Sequence, residues 1–253
     1  MKTGLVLSGG GVRGAAHLGI IKALEELNIQ IDVISGTSAG ALAGAFYASG
    51  LKPDEILEIM IRINKYSFFK PALGSGGMLS HKPLIAFIKN NLPVNTFEEL
   101  KIKLIVSATD YKNAKTKYFE KGDLILPLLA ASTVPVLYKP VLVAGQKYID
   151  GGIVNNLPVE PLVGHCNKII GSLCNPIDDN FQRVGIKSAL ERVMLININT
   201  NTYSRRTICD LVLEPPQLKN YRVFDFSKAL EIFNIGYYYA LDNKEEILNK
   251  VHI

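Results

Sequence analysis

Five residues, Gly36-Thr37-Ser38-Ala39-Gly40, constrain this chain more than any other stretch. They have the form G-x-S-x-G, in which a serine sits on a sharp turn between a strand and a helix. The flanks supply both elements. Ile31–Ser35 reads as a short buried strand, and Ala41–Ala48 as a helix stopped by Gly50. Glycines let a chain turn tightly with no Cβ in the way. Such a turn leaves the Ser38 hydroxyl exposed at the carboxyl edge of a sheet, near a helix N-terminus that favours developing negative charge. The same residues also read as a plain turn in which Thr37 or Ser38 caps the helix. Ser38 therefore needs partners elsewhere before it reads as a nucleophile.

The rest of the chain supports a sheet for that turn to sit on. Of 253 residues, 48% are hydrophobic and 20% charged, which suits one substantial core and argues against disorder. Gly4–Ser8 is an apolar strand, Gly9–Gly14 a loop and Ala15–Asn28 an amphipathic helix. Pro53 opens another helix running to Asn64. Pro83–Asn91 and Leu124–Ser132 read as helices, and Thr96 to Glu99 as a capping box. Strands follow at Lys103–Thr109, Thr116–Phe119, Lys147–Ile149, Lys168–Leu173 and Asp210–Leu213, and Phe226–Val251 is mostly helical. Alternating strands and helices imply an α/β fold, a mostly parallel central sheet with helices on both faces, in one domain over residues 1–253. Lys65–Gly77 is irregular. Its flexible Gly74-Ser75-Gly76-Gly77 lies beside an apolar stretch with Phe68 and Phe69, either a candidate lid or a loop whose aromatics plug the core.

Net charge is +5 and spread out, which fits either a solvated face or attraction to an anionic membrane surface. No nucleic-acid motif is present, because no aromatic residues interleave with an Arg/Lys cluster. Cys166, Cys174 and Cys209 have no metal spacing and read as reduced core thiols. No signal peptide and no apolar run of about 18 residues is visible, so the expected location is cytoplasmic, with any membrane contact peripheral.

Gly9-Gly10-Gly11-Val12-Arg13-Gly14 satisfies G-x-G-x-x-G after a strand and before a helix. A dinucleotide site also needs an acidic residue at the carboxyl end of the second strand. Asp32 lies at the start of that strand, and its end is occupied by the Gly36–Gly40 turn. The better reading is an oxyanion hole, where Gly10, Gly11 and Val12 turn backbone N–H groups toward Ser38. One such donor is worth about 10²–10³ in rate. Arg13 is unfavourable at a helix N-terminus, and is explained if it binds loop carbonyls or an anionic lipid head group, or if it is simply exposed.

A serine hydroxyl needs a base. His17, His81, His165 and His252 have no motif around them. Asp150 and His165 follow Ser38 in the order of a Ser-Asp-His triad but stand only 15 residues apart. Asp150-Gly151-Gly152 offers another solution. An aspartate at a strand end followed by two glycines can reach a neighbouring loop and take the serine proton directly, although an ordinary aspartate is a weak base. Taken alone, it is also a common turn.

Together, the three motifs resemble those of the patatin-like phospholipases, namely a G-G-G-x-R-G loop, a G-x-S-x-G elbow and a D-G-G turn, in that order. Ala15-Ala16-His17-Leu18-Gly19, Ala108-Thr109-Asp110, Ala131-Ser132-Thr133-Val134-Pro135 and Asn155-Asn156-Leu157-Pro158 extend the resemblance over nearly the whole chain. It implies Ser38 as nucleophile, Asp150 as proton acceptor of a Ser-Asp dyad, and Gly10, Gly11 and Val12 as oxyanion donors. Gly9, Arg13, Gly14, Gly36, Gly40, Gly151 and Gly152 are implied as motif support. The implied reaction is hydrolysis of fatty-acyl esters of phospholipids, lysophospholipids or related lipids through an acyl-enzyme, without metal or cofactor. Ser8 stands where many members carry an acidic residue before the triple glycine, and the chain is similar to a minimal bacterial-type member. A lipid-binding or regulatory protein on the same scaffold is the alternative.

Overall fold

The computed structural model describes residues 1–62, 79–182 and 184–251. Lys65–Gly77, with Phe68 and Phe69, and His252 lie outside them.

An apolar strand covered on both faces belongs in the middle of a sheet. β1 (Thr3–Leu7) is buried along its whole length and sits there. It pairs in parallel with β2 (Val33–Gly36) on one side and β7 (Lys168–Ser172) on the other. β3 (Lys103–Asp110) continues the parallel set beyond β2, and β8 (Leu211–Leu213) beyond β7. β4 (Lys115–Phe119) and β6 (Gln146–Asp150) both run antiparallel to β3, and β5 (Val141–Val143) runs antiparallel to β6. The eight-stranded order is β5-β6-β3-β2-β1-β7-β8, with β4 on β3. The sheet is thus mixed, parallel at its centre and antiparallel at one corner. The short link between β3 and β4 permits only an antiparallel pair.

Between the strands lie α1 (Ala15–Glu26), α2 (Ser38–Ala48), α3 (Pro53–Ile61), α4 (Lys82–Asn91), α5 (Ile125–Ala131) and α6 (Ile186–Arg206). α7 (Ala229–Asp242) and α8 (Lys244–Val251) close the described chain. Strand alternation divides the core. Leu5, Leu7, Ile34, Leu104 and Val106 pack with the helical layer of α1, α2 and α7. Val6, Ile105 and Ile169 face the other way, where Leu157, Val159 and Leu162 cover them. α1 and α7 meet backbone to backbone. A Cβ on Gly236 would stand 2.2 Å from the Ala16 carbonyl oxygen, so only glycine fits that crossing.

Two boundaries differ from the sequence reading in a way that matters. The second strand runs to Gly36, and the following helix begins at Ser38 rather than Ala41. Ser38 is therefore part of a helical first turn. The long helix α6 lies where the sequence reading placed no element, and its apolar residues Ile186, Leu190, Val193 and Ile196 recur at helical spacing but are exposed. Among its described side chains only Leu195 and Thr202 are buried, and its inner face is rich in asparagine and threonine.

Candidate active site

Strand register brings Ser38 and Asp150 together. On β3, Val106 pairs with Gly36 of β2 and Ala108 pairs with Asp150 of β6. β2 is parallel and β6 antiparallel to β3, so their carboxyl ends approach along one edge, about 7 Å apart over two strand residues. The elbow after Gly36 closes that gap. Ser38 Oγ donates to Asp150 Oδ2 at 2.7 Å. Asp150 Oδ1 accepts the Gly152 N–H at 2.8 Å, which fixes the carboxylate plane. The Asp150 N–H donates to the Thr133 carbonyl at 2.8 Å, anchoring the base from behind.

Ser38 has φ +50, a left-handed conformation that costs about 1–3 kcal/mol in a non-glycine residue and marks functional turns. The turn can form because Gly40 lies flat on β1. A Cβ there would stand 2.3 Å from the Leu7 carbonyl oxygen. Gly36 packs against Gly40, and Gly151 packs against Thr37 and Ser107. Both motifs thus need small residues because the two turns lie against one another and the strands.

Asp150 is buried, and desolvation pushes its carboxyl up to about 6, against the opposing effects of the Ser38 and Gly152 hydrogen bonds. A carboxylate titrating there is a far better general base near neutral pH than an ordinary aspartate.

The glycine loop flanks the same point. Gly9, Gly10 and Gly11 line a cavity with Ser38, Asp150 and Gly152. Gly11–Gly14 form a 3-10 turn leading into α1. Val12 departs from expectation. Its N–H is donated to the Val223 carbonyl at 2.8 Å, so it is engaged in holding the 221–224 segment rather than turned to substrate. Among the described residues the Gly10 and Gly11 N–H groups have no hydrogen-bond partner. Arg13 is buried and donates through Nε, at 3.0 Å, and Nη2 to the Tyr221 carbonyl. Of the readings open to Arg13, the loop-carbonyl one holds, and burial removes both the exposed side chain and the lipid head group. Ser8 is also buried, its Oγ accepting the Cys174 N–H at 3.2 Å, so an uncharged residue suits this position.

Three asparagines that motif reasoning did not single out complete the frame. Asn156 and Asn175 each donate an Nδ2–H to the Gly9 carbonyl. Asn201, on α6, accepts the Asn156 N–H at 2.9 Å and donates to the Gly152 carbonyl at 2.9 Å. Asn155-Asn156 was visible only as a family-like segment. Asn175 and Asn201 carry no local signal, because their partners lie far away in sequence.

The histidines are placed elsewhere. His17 is fully buried, with Nε2 on the Ser8 carbonyl at 2.8 Å and Nδ1 on Ser172 Oγ at 2.7 Å. A carbonyl only accepts, so Nε2 carries the proton, and burial holds the ring neutral with its pKa lowered to about 4. His81 stacks on Tyr138, and His165 is exposed. Among the described residues, no histidine lines either cavity at Ser38.

Those two cavities share Ser38, Gly11, Val134 and Phe224. The first, about 240 Å³, continues past Asn156 and Asn175 to Glu191, Met194 and Asn197 of α6. The second, about 140 Å³, is apolar and is lined by Phe46, Ile56, Met60, Leu84 and Phe87. The Phe46 and Phe87 rings meet edge to face at 5.7 Å.

A family model described as patatin-like phospholipase matches residues 5–163, which contain all three motifs. The lysophospholipase nte1 of Aspergillus terreus is 27% identical over 98% of this chain and 18% of its own length. An uncharacterised NTE family protein of Mycobacterium tuberculosis is 30% identical over 64% of this chain and 46% of its own. The chain thus spans less than half the length of these relatives. Among solved structures, VipD from Legionella pneumophila superimposes with a TM-score of 0.56 at 16% identity, covering 97% of this chain and 67% of that one. Human GIVD cytosolic phospholipase A2 does so with a TM-score of 0.56 at 11% identity, covering 99% and 58%. At those identities the superpositions report the fold. With the family match across the motif-bearing half of the molecule, they show that this chain belongs to the patatin-like phospholipase family.

Proposed function

We propose that the protein is a serine hydrolase of fatty-acyl esters, acting on lysophospholipids or related lipids through a Ser38–Asp150 dyad. The observation that carries this reading is the 2.7 Å contact between Ser38 Oγ and a buried carboxylate at the junction of two cavities whose walls are mostly apolar. The acyl chain lies in the apolar cavity, which places the ester carbonyl over Ser38. Ser38 Oγ attacks the carbonyl carbon as its proton passes to Asp150 Oδ2. The oxyanion is met by the Gly10 and Gly11 N–H groups and the N-terminal turn of α2. Collapse expels the alcohol part of the lipid into the wider cavity, carrying the proton from Asp150. Water, activated by the same carboxylate, then releases the fatty acid and restores Ser38.

The names of the fungal relatives support the lysophospholipid class. Net charge +5 and the lack of any described helix long and apolar enough to cross a membrane support a peripheral role at an anionic membrane, which we place on the cytoplasmic side. The test is a panel of acyl esters of graded chain length and head group, with Ser38→Ala as the blank. Turnover should fall by about 10³-fold or more in that variant. Equal turnover by wild type and Ser38→Ala would refute the reading.

A further inference from the structure

The wider cavity opens beside an unusual helix face. α6 contributes Met194, Asn197 and Ile198 to the cavity wall, yet it also holds a row of apolar side chains in water. Ile186 is 90% exposed and Val193 63%, with Leu190 and Ile196 also exposed. They follow one another at three- and four-residue intervals, so they form one stripe. Val193 belongs to both sets, lining the cavity and standing at its rim.

The stripe continues across the mouth. Phe224 lines both cavities and is partly exposed. Val136, next to the cavity-lining Val134 and Pro135, is 64% exposed with φ +71. A β-branched residue in that conformation is a genuine outlier, and here it holds an apolar side chain outward. Three separate segments therefore rim one opening with apolar side chains, an arrangement that marks an interaction surface.

We propose that this rim docks on an anionic lipid surface, so that substrate passes from the bilayer into the cavity without crossing water. The proposal rests on the reading of Ser38 as the nucleophile of a lipid-ester hydrolase. Two observations favour a lipid surface over a protein partner. The patch is continuous with the cavity mouth, so a protein seated on it would close the route to Ser38. Two cations, unpaired among the described residues, also stand beside the patch, where anionic head groups can reach them. Lys139, three residues after Val136, and Arg222, two before Phe224, are exposed and have no carboxylate partner among the described residues. Glu191 and Asp225 keep their negative charge, but each accepts from a donor within the chain, Glu191 from the Val223 N–H and Asp225 from Ser227, and neither is paired with these two cations. A helix with such a face lies in the interface rather than across it.

The test uses vesicles of phosphatidylcholine alone and of phosphatidylcholine mixed equally with phosphatidylglycerol. Wild type, Ser38→Ala, the pair Ile186→Glu/Ile196→Glu and the pair Lys139→Gln/Arg222→Gln are sedimented with each. Wild type and Ser38→Ala should bind the mixed vesicles alike. The Ile pair should bind them about tenfold or more weakly, because two apolar contacts with hydrocarbon are lost. Its turnover of a soluble short-chain ester should stay within about twofold of wild type, which also shows that it is folded. The Lys/Arg pair should lose about tenfold of the preference for the anionic mixture. Wild type that ignores both vesicles, or an Ile pair that binds like wild type, overturns the proposal. A wild-type dimer that the Ile pair dissociates, with vesicle binding unchanged, also overturns it and assigns the face to a second copy. Failure of the hydrolase reading is a separate outcome, seen as Ser38→Ala turnover of the soluble ester.

Discussion

In the proposed dyad, Asp150 carries an energetic conflict. Burial raises its folded-state value from 3.8 to about 6, so near neutral pH the fold holds a carboxylate that it would rather keep protonated. The sign follows directly. A raised carboxyl contributes stability below its unfolded value and loses that contribution as pH rises through about 6. Asp150→Asn should therefore abolish turnover yet raise Tm by a few degrees at pH 8, with the gap closing below about pH 4. Paired thermal melts and ester assays across pH check both halves. kcat/KM of wild type should fall along a single acid limb near pH 6 as the base protonates. His165→Gln should leave that profile in place within about twofold, since the ring is exposed and outside both cavities.

Elements carry these residues to one another, and here the sequence was legible in part. The Gly36–Gly40 elbow, the glycine loop and the Asp150 turn were readable because each encodes a backbone shape within a few residues. Their convergence was not, because it depends on β2 and β6 meeting end to end along β3 from opposite directions. Val12 shows the same limit. Its N–H is taken by Val223, 211 positions later, and nothing near Val12 announces that partner. α6 was missed for a different reason. It is tied down by asparagine hydrogen bonds, and its apolar stripe, though at helical spacing, faces solvent rather than the core. Those bonds should matter to rate. Asn201→Ala removes the acceptor for Asn156 N–H and the donor to the Gly152 carbonyl, and kcat should fall about tenfold through a loosened Asp150 turn. In contrast, Gly236→Leu should act on stability alone. It forces α1 and α7 apart, and a loss of about 5 °C or more in Tm is expected by calorimetry.

On the scale of the whole molecule, the fold places two cavities on either side of one serine, which under the proposed function divides substrate handling between them. The helical layer supplies an apolar cavity lined in part by the Phe46–Phe87 pair, and the 3-10 turns and α6 supply a wider one. That division predicts a chain-length optimum. Each methylene that still finds room is worth about 0.8 kcal/mol, or roughly fourfold in kcat/KM, until the phenylalanine pair is reached. Phe87→Ala should move the optimum to longer chains, read from a series of saturated acyl esters.

The dyad itself is tested most directly by following covalent capture of Ser38 with a fatty-acyl fluorophosphonate across pH, with the adduct located by peptide mass mapping. Modification should fall on Ser38 alone, its rate should rise through one ionisation near pH 6, and Asp150→Asn should slow it by about 10² or more. An adduct on another residue, or an Asp150→Asn protein labelled at the wild-type rate, would contradict a serine activated by a buried carboxylate.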